Sequence, residues 1–302
     1  MDRRSSPGAA VPSVPSSSRA AGRRRAADRV EPAHARADFH EPRRPDCPWC
    51  GSQRVSPRPP APSGARRLRA GLTVAHLAQG GPGDVPLDAC GDCGHVFQNP
   101  RLTAEGLARH LHGRAEGRVA RPLERRLTAL RHRSAARALL PFPEPEGWLD
   151  VGTGEGHFPA AAQEFFPYTS FDGVDTDRRV VRAYAAGRVE EAHVGRLTDP
   201  HIAARLRARY DVVSMLHHLE RTPDPRAELL AALTVLRPGG HLLLELTGPR
   251  GSWWTAPADP ADLHLPHPAN VEAELHAEGC TILTAPRRAR PSGRYRVLAR
   301  RN

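Results

Sequence analysis

The sequence predicts an α/β fold: a doubly wound, mostly parallel seven-stranded sheet with a small cysteine-framed module in front of it. Three observations carry that expectation. From Trp148 onward, short apolar runs alternate with helical stretches, the pattern of a parallel sheet covered on both faces. The first of these runs leads straight into a glycine-rich turn. Four of the five cysteines fall into two Cys-x-x-Cys pairs well upstream.

Residues 1–44 mix Arg, Ser, Pro and Ala without apolar periodicity, so burial cannot offset the entropy of ordering and a disordered tail is expected. Residues 45–101 hold the cysteine module, Cys47-Pro48-Trp49-Cys50-Gly51 and Cys90-Gly91-Asp92-Cys93-Gly94. A Pro- and Gly-rich insertion separates the pairs, and the segment has too few apolar residues for a core of its own. Residues 102–140 read as a helical linker. Thr103 can cap a short helix through Leu111, while Leu123, Leu127 and Leu130 mark the apolar face of a longer one. Residues 141–302 carry seven candidate strands, at 148–151, 171–174, 189–194, 211–215, 241–246, 280–283 and 295–299. The helix before the fifth is the most clearly marked. It has Asp224 as N-cap, Pro225 in the first helical position, Leu229, Leu233 and Leu236 on one face, and Pro238-Gly239-Gly240 as its stop.

The formal net charge of +11 would ordinarily raise nucleic acid as a partner. Every one of the 44 basic residues is Arg, however, and they are spread along the chain rather than gathered on one element, so compositional drift accounts for much of the excess. No apolar run approaches the roughly 20 residues of a membrane span, and the N-terminus lacks the apolar core of a secretory signal, so a cytoplasmic protein with no membrane partner is expected.

The strongest local signal is Leu149-Asp150-Val151-Gly152-Thr153-Gly154-Glu155-Gly156-His157-Phe158, a buried strand turning through Gly-x-Gly-x-Gly into a helix. The turn needs glycine where the backbone reverses sharply under a ligand, and the following helix points free N–H groups at it. About twenty residues on, Phe171-Asp172-Gly173-Val174-Asp175 ends the second strand in a carboxylate that can accept hydrogen bonds from two ribose hydroxyls. This pairing also serves nicotinamide dinucleotides, but their fingerprint wants a glycine where this chain has His157, so adenosylmethionine is the better-matched ligand.

With Tyr210-Asp211-Val212-Val213-Ser214-Met215-Leu216-His217-His218-Leu219-Glu220, Leu236-Arg237-Pro238-Gly239-Gly240 and Glu278-Gly279-Cys280 added, about half of the chain resembles the class I S-adenosylmethionine-dependent methyltransferases. The resemblance implies a Rossmann-like sheet with its last strand antiparallel. It places Gly152, Gly154 and Gly156 under the cofactor's methionine and ribose, Asp150 toward the methionine amino group and Asp175 on the ribose. The stretch around Leu197 would border the adenine, and Met215 and His217 would face cofactor and acceptor. Methyl transfer is an in-line displacement that needs alignment and no protein nucleophile. If the acceptor is a hydroxyl or acidic carbon, a base helps, and His217 and His264 are the candidates, each also open to a structural reading. Trp253-Trp254 could stack on a flat acceptor or pack an edge.

Two Cys-x-x-Cys pairs each followed by Gly have the knuckle spacing of a zinc ribbon, with Cys47, Cys50, Cys90 and Cys93 closing a structural tetrahedral Zn2+ site. Free thiols or an iron-sulfur cluster are the alternatives. Cys280 reads as a buried small apolar residue. The run from Cys90 to Arg101 resembles the knuckle ahead of the catalytic domain in a bacterial subgroup of methyltransferases. The acceptor is expected to be a small molecule, such as a specialised metabolite or sugar. The alternatives are an RNA nucleobase, read by the ribbon and basic tail, and a non-catalytic binding module. Oligomeric state is not legible.

Overall fold

Three short strands open the fold, β1 (Val55–Pro57), β2 (Leu87–Cys90) and β3 (Val96–Gln98), each antiparallel to the next. A computed structural model describes residues 39–58, 86–103, 105–107, 122–249, 261–284 and 293–302. The segment containing Trp253-Trp254, most of the insertion between the cysteine pairs, and residues 1–38 of the expected tail lie outside the described residues.

After helix α1 (Pro122–Ala136) the chain alternates as the apolar runs predict. It passes through β4 (Gly147–Val151), α2 (His157–Ala162), β5 (Ser170–Asp175), α3 (Arg179–Ala185), β6 (Glu191–Val194), α4 (Pro200–Leu206), β7 (Tyr210–Leu216), α5 (Pro225–Val235) and β8 (Leu236–Thr247). Strand β9 (His264–Leu265), α6 (Pro268–Ala277), β10 (Cys280–Thr284) and β11 (Arg294–Arg301) complete it. Seven strands form one sheet in the order β10-β11-β8-β7-β4-β5-β6, and β11 runs antiparallel to both its neighbours. The order reverses at β4, so the loops after β4 and β7 open on the crevice where such sheets bind ligands.

Local chemistry sets several boundaries. Asp224 caps α5 by accepting from Ala227 N–H at 2.9 Å, with Pro225 at the first helical position. Asp211 accepts from Glu146 and Gly147 N–H at 2.9 and 3.0 Å, which fixes the start of β4 against β7. Thr103 Oγ1 accepts from Gly106 N–H at 3.1 Å, beginning the helical residues 105–107; the rest of the helix expected through Leu111 lies outside the described residues.

The two faces of the sheet are covered differently. One carries an aromatic cluster in which Trp148 stands within 6 Å of Phe158, Phe166 and Phe171, closed by Ala135 and Ala136 of α1. The other joins Leu149, Val213, Leu242 and Leu244 to α5 and α6, and the same cluster includes Cys47, Trp49, Cys90 and Phe97 of the cysteine module. The module therefore shares its core with the sheet. Strand β9 makes the junction, pairing antiparallel with β3 through Val96↔Leu265 and Phe97↔His264.

Two sequence expectations change here. Residues 39–44 are not free tail: Glu41 N–H donates to Arg101 O at 2.8 Å, Arg43 pairs with the buried Asp88 at 2.6 Å, and Arg44 N–H donates to Asn99 Oδ1 at 2.8 Å. Polar contacts order them, and apolar periodicity cannot report those. The stripe of Leu123, Leu127 and Leu130 is 50–66% exposed, because α1 buries its C-terminal end against α2 instead. Spacing shows which residues share a face, not which face meets the sheet.

Because Phe97 is buried in the shared cluster, Phe97→Ala should lower stability by roughly 3–5 kcal/mol. Circular dichroism and tryptophan fluorescence should report one shifted thermal transition. A separate, minor transition for the module would contradict the shared core.

Candidate functional site

The loop between β4 and α2 has Gly152, Gly154 and Gly156 at φ 78°, 54° and 73°, all in the left-handed region. A Cβ on Gly152 would come within 2.6 Å of His218 Nδ1, whereas one on Gly154 would meet nothing within 4 Å. Gly154 thus lies under open space. Its N–H donates to Asp175 Oδ2 at 2.7 Å, while Asp177 N–H donates to Asp175 Oδ1 at 2.8 Å. The acid ending β5 is held at the rim of the glycine loop by these two bonds.

Asp150 lies below, 3% exposed, accepting from Ser214 Oγ at 2.6 Å, and Ser214 in turn accepts from Trp148 Nε1 at 3.0 Å. Burial pushes the Asp150 carboxyl up to about 7, against the Ser214 bond and with a further push from Asp175. A buried acid in this state is stabilised as an anion by a cationic group brought beside it. Leu197 is fully buried; its N–H donates to Glu228 Oε1 at 3.4 Å, and the same oxygen faces His218 Nε2 at 3.2 Å. Met215 is fully buried among the sheet's apolar residues.

The two candidate bases separate. His217 directly follows β7, with Nδ1 at 2.9 Å from Glu220 Oε1 and Nε2 at 3.5 Å from Glu245 Oε1. Burial opposes its charge, but these carboxylates outweigh it and hold the ring up to about 10. His264 sits on β9, 2% exposed, its Nδ1 at 3.2 Å from His95 Nε2 and its ring stacked on His95. Burial lowers its basicity far below the usual histidine range. His264 is buried where the cysteine module pairs with β9.

The four sulfurs of Cys47, Cys50, Cys90 and Cys93 lie within 4.8 Å of one another, with Cys47–Cys93 and Cys50–Cys90 both at 3.7 Å. A tetrahedron with bonds of about 2.3 Å has edges near 3.8 Å, so the spacing fits a thiolate-bound zinc. Burial pushes the Cys47 thiol up to about 11 against the backbone N–H groups of Cys50 and Trp49, whereas at Cys90 burial is outweighed by hydrogen bonds, those of the Cys93 and Asp92 N–H groups first, which bring it down to about 7. Gly51 and Gly94, at φ 72° and 68°, close the two knuckles. Cys280 is buried in the sheet's core, away from the four. A second group, Asp172, Glu191 and His193, could geometrically hold a cation. Arg209 pairs with both carboxylates, and Arg205 with Glu191, so it is an ion-pair network.

Sequence reasoning missed Ser214, Glu220, Glu228, Glu245 and Arg296. Glu220 and Glu228 lie close in sequence to the histidines they bond, and a scan for carboxylates near His217 and His218 would have found them. Glu245 and Arg296 come from other strands and leave no local signal.

A glycine loop after the first strand, an acid ending the second and an antiparallel strand inserted beside the fifth together define the class I methyltransferase fold. Residues 119–285 match the methyltransferase-domain family, and the chain belongs to that family. It is 32% identical over 108 residues to a ubiquinone biosynthesis O-methyltransferase of Cronobacter sakazakii (strain ATCC BAA-894), and 31% identical over 108 residues to that of Serratia proteamaculans (strain 568). Each alignment covers 35% of this chain and 44% of the relative, so the chain spans less than half the length of these curated relatives. Among solved structures it is similar to the [4+2]-cyclase SpnF, at 18% identity and TM-score 0.47 over 65% of this chain and 92% of that one. It is also similar to the CurJ carbon methyltransferase, at 17% identity and TM-score 0.45 over 57% and 53%.

Gly154→Ala should cost only about 1–2 kcal/mol of stability, the penalty of a left-handed alanine. It should weaken adenosylmethionine binding roughly tenfold or more by filling the open space. Paired thermal melts and calorimetry would show the split. Equal losses in both would mean that Gly154 serves folding alone.

Proposed function

We propose that this chain transfers a methyl group from S-adenosylmethionine to a small-molecule acceptor, and that its four clustered cysteines hold a structural zinc. The observation that carries the first part is the bond from Gly154 N–H to Asp175 beneath open space. It joins the glycine turn to the acid expected on the ribose, and no side chain of the loop fills the place above it.

In this reading Gly152, Gly154 and Gly156 let the backbone approach the cofactor, Asp175 accepts from its ribose hydroxyls, and Asp150 meets its methionine ammonium. Leu197 borders the adenine, with Glu228 fixing that stretch to His218. The bound cofactor supplies an electrophilic methyl on a sulfonium. The protein's part is to hold donor and acceptor in line and keep water out. The curated relatives are O-methyltransferases of ubiquinone biosynthesis, which supports a small-molecule acceptor over RNA. No helix among the described residues is long and apolar enough to cross a membrane.

Calorimetric titration of adenosylmethionine into zinc-replete protein tests the reading, with a nicotinamide dinucleotide as control. Binding is expected for adenosylmethionine alone. Asp175→Ala should weaken it roughly tenfold to a hundredfold, the worth of hydrogen bonds to a charged group. No binding to the folded wild type would sink the proposal. Since Asp150 is half protonated near pH 7, an ammonium beside it should drive a proton off at mildly acidic pH. The binding enthalpy should then depend on the buffer's ionisation enthalpy, and Asp150→Asn should remove that dependence. For the metal, elemental analysis should find about one zinc per chain. A chelator should lower the melting temperature of the whole domain; an unchanged melt would count against a structural role.

A further inference from the structure

His217 is held in an unusual state by geometry alone. Its backbone φ is 55°, a left-handed conformation that non-glycine residues seldom adopt and that clusters at functional sites. His217 N–H donates to the Glu245 carbonyl at 2.7 Å, and Thr247 N–H donates to Glu220 Oε1 at 2.7 Å, fixing the turn after β7 to the end of β8. Both ring nitrogens then face carboxylate oxygens, Glu220 at 2.9 Å and Glu245 at 3.5 Å. A neutral imidazole has one donor and one acceptor nitrogen; only the imidazolium offers two donors. Glu220 is 2% exposed, and its second oxygen is buried without a hydrogen-bond partner, so the His217 ring and the Thr247 N–H together offset its burial.

We propose that Glu220 is a positioning residue that holds His217 as a fixed imidazolium with no free lone pair to act as a base, so that an oxygen acceptor enters the reaction already ionised. The inference rests on the methyltransferase reading and narrows its substrate class.

The charges support it. Glu220 and Glu245 are balanced by His217 and by Arg296, whose Nη2 donates to Glu245 Oε2 at 2.7 Å. His132 of α1 also faces Glu245, and Tyr295 of β11 faces Glu220. The cluster is neutral overall, which leaves an acceptor anion to be matched by the sulfonium of the methyl donor. In the transfer, an oxygen lone pair forms the new O–C bond, the S–C bond breaks with its pair left on sulfur, and no proton moves. Burial works against the cation, but the two carboxylates more than offset it and keep the ring protonated up to about pH 10. Its raised basicity stabilises the fold fully below the ring's ordinary value near 6.5 and is lost as pH rises through about 10.

The test is side-chain NMR of the full chain, with the His217 ring assigned by difference from His217→Asn. At about pH 7.5 the wild-type ring should show both nitrogens protonated. In Glu220→Gln at least half of the population should lose a proton, and Glu220→Asp should restore the cation. A wild-type ring present as one neutral tautomer overturns the proposal with no variant needed, and so does a folded Glu220→Gln with an unchanged ring. If Glu220→Gln does not fold, the wild-type pattern and Glu220→Asp decide. These readouts are independent of cofactor binding, so failure in calorimetry strikes the methyltransferase reading and failure in the ring spectrum strikes this one.

Discussion

A parallel sheet must be covered on both faces, and in this chain part of one cover comes from a module that cannot bury a core by itself. That mutual dependence shapes the molecule. Phe97 and Trp49 of the cysteine module complete the cluster around Leu149 and Val213, while β3 takes β9 as its partner strand. The ties continue in polar contacts. Arg58 Nη2 donates to Pro249 O at 2.9 Å, Arg101 Nη1 to Pro223 O at 2.8 Å, and Gln98 Nε2 to Asp262 O at 3.0 Å. All three acceptor carbonyls follow β7 or β8. The module thus grips the connections that leave the sheet on the side of the candidate site.

Electrostatics divide that site into two regions. Around the glycine loop, Asp150 and Asp175 offer carboxylates with one buried and costly to ionise, a setting that rewards a cationic ligand. Beyond β7, carboxylates and cations are already matched in the His217 cluster, so a new charge there needs its own counterpart. Asp150 has no cationic partner among the described residues, whereas His217 sits between two carboxylates.

The sequence made the sheet and the glycine turn readable because both are written locally. Apolar runs of strand length, Asp224-Pro225 at a helix start and three glycines at fixed spacing need no distant partner to be understood. The cysteine pairs were legible for the same reason, since each knuckle is a five-residue turn. What stayed hidden depends on contacts between remote segments. His264 looked like a candidate base because its loop follows the fifth strand; only its pairing with His95 reveals a buried structural role. His217 follows β7, but its charge state depends on Glu245 on the next strand as well as on the nearby Glu220, with Arg296 behind Glu245. The two-residue β9 has no periodicity to detect, and the leucine stripe of α1 was seen without its orientation.

The pairing of His95 with His264 joins residues 169 positions apart. Contacts of such long sequence separation pay their loop-closure entropy before they return any stability. The cysteine module leaves the ribosome well before its partner strand and much of its apolar cover. Its knuckles can form at once, but its packing must wait, and until then Trp49 and Phe97 are the apolar surface that the growing chain leaves open.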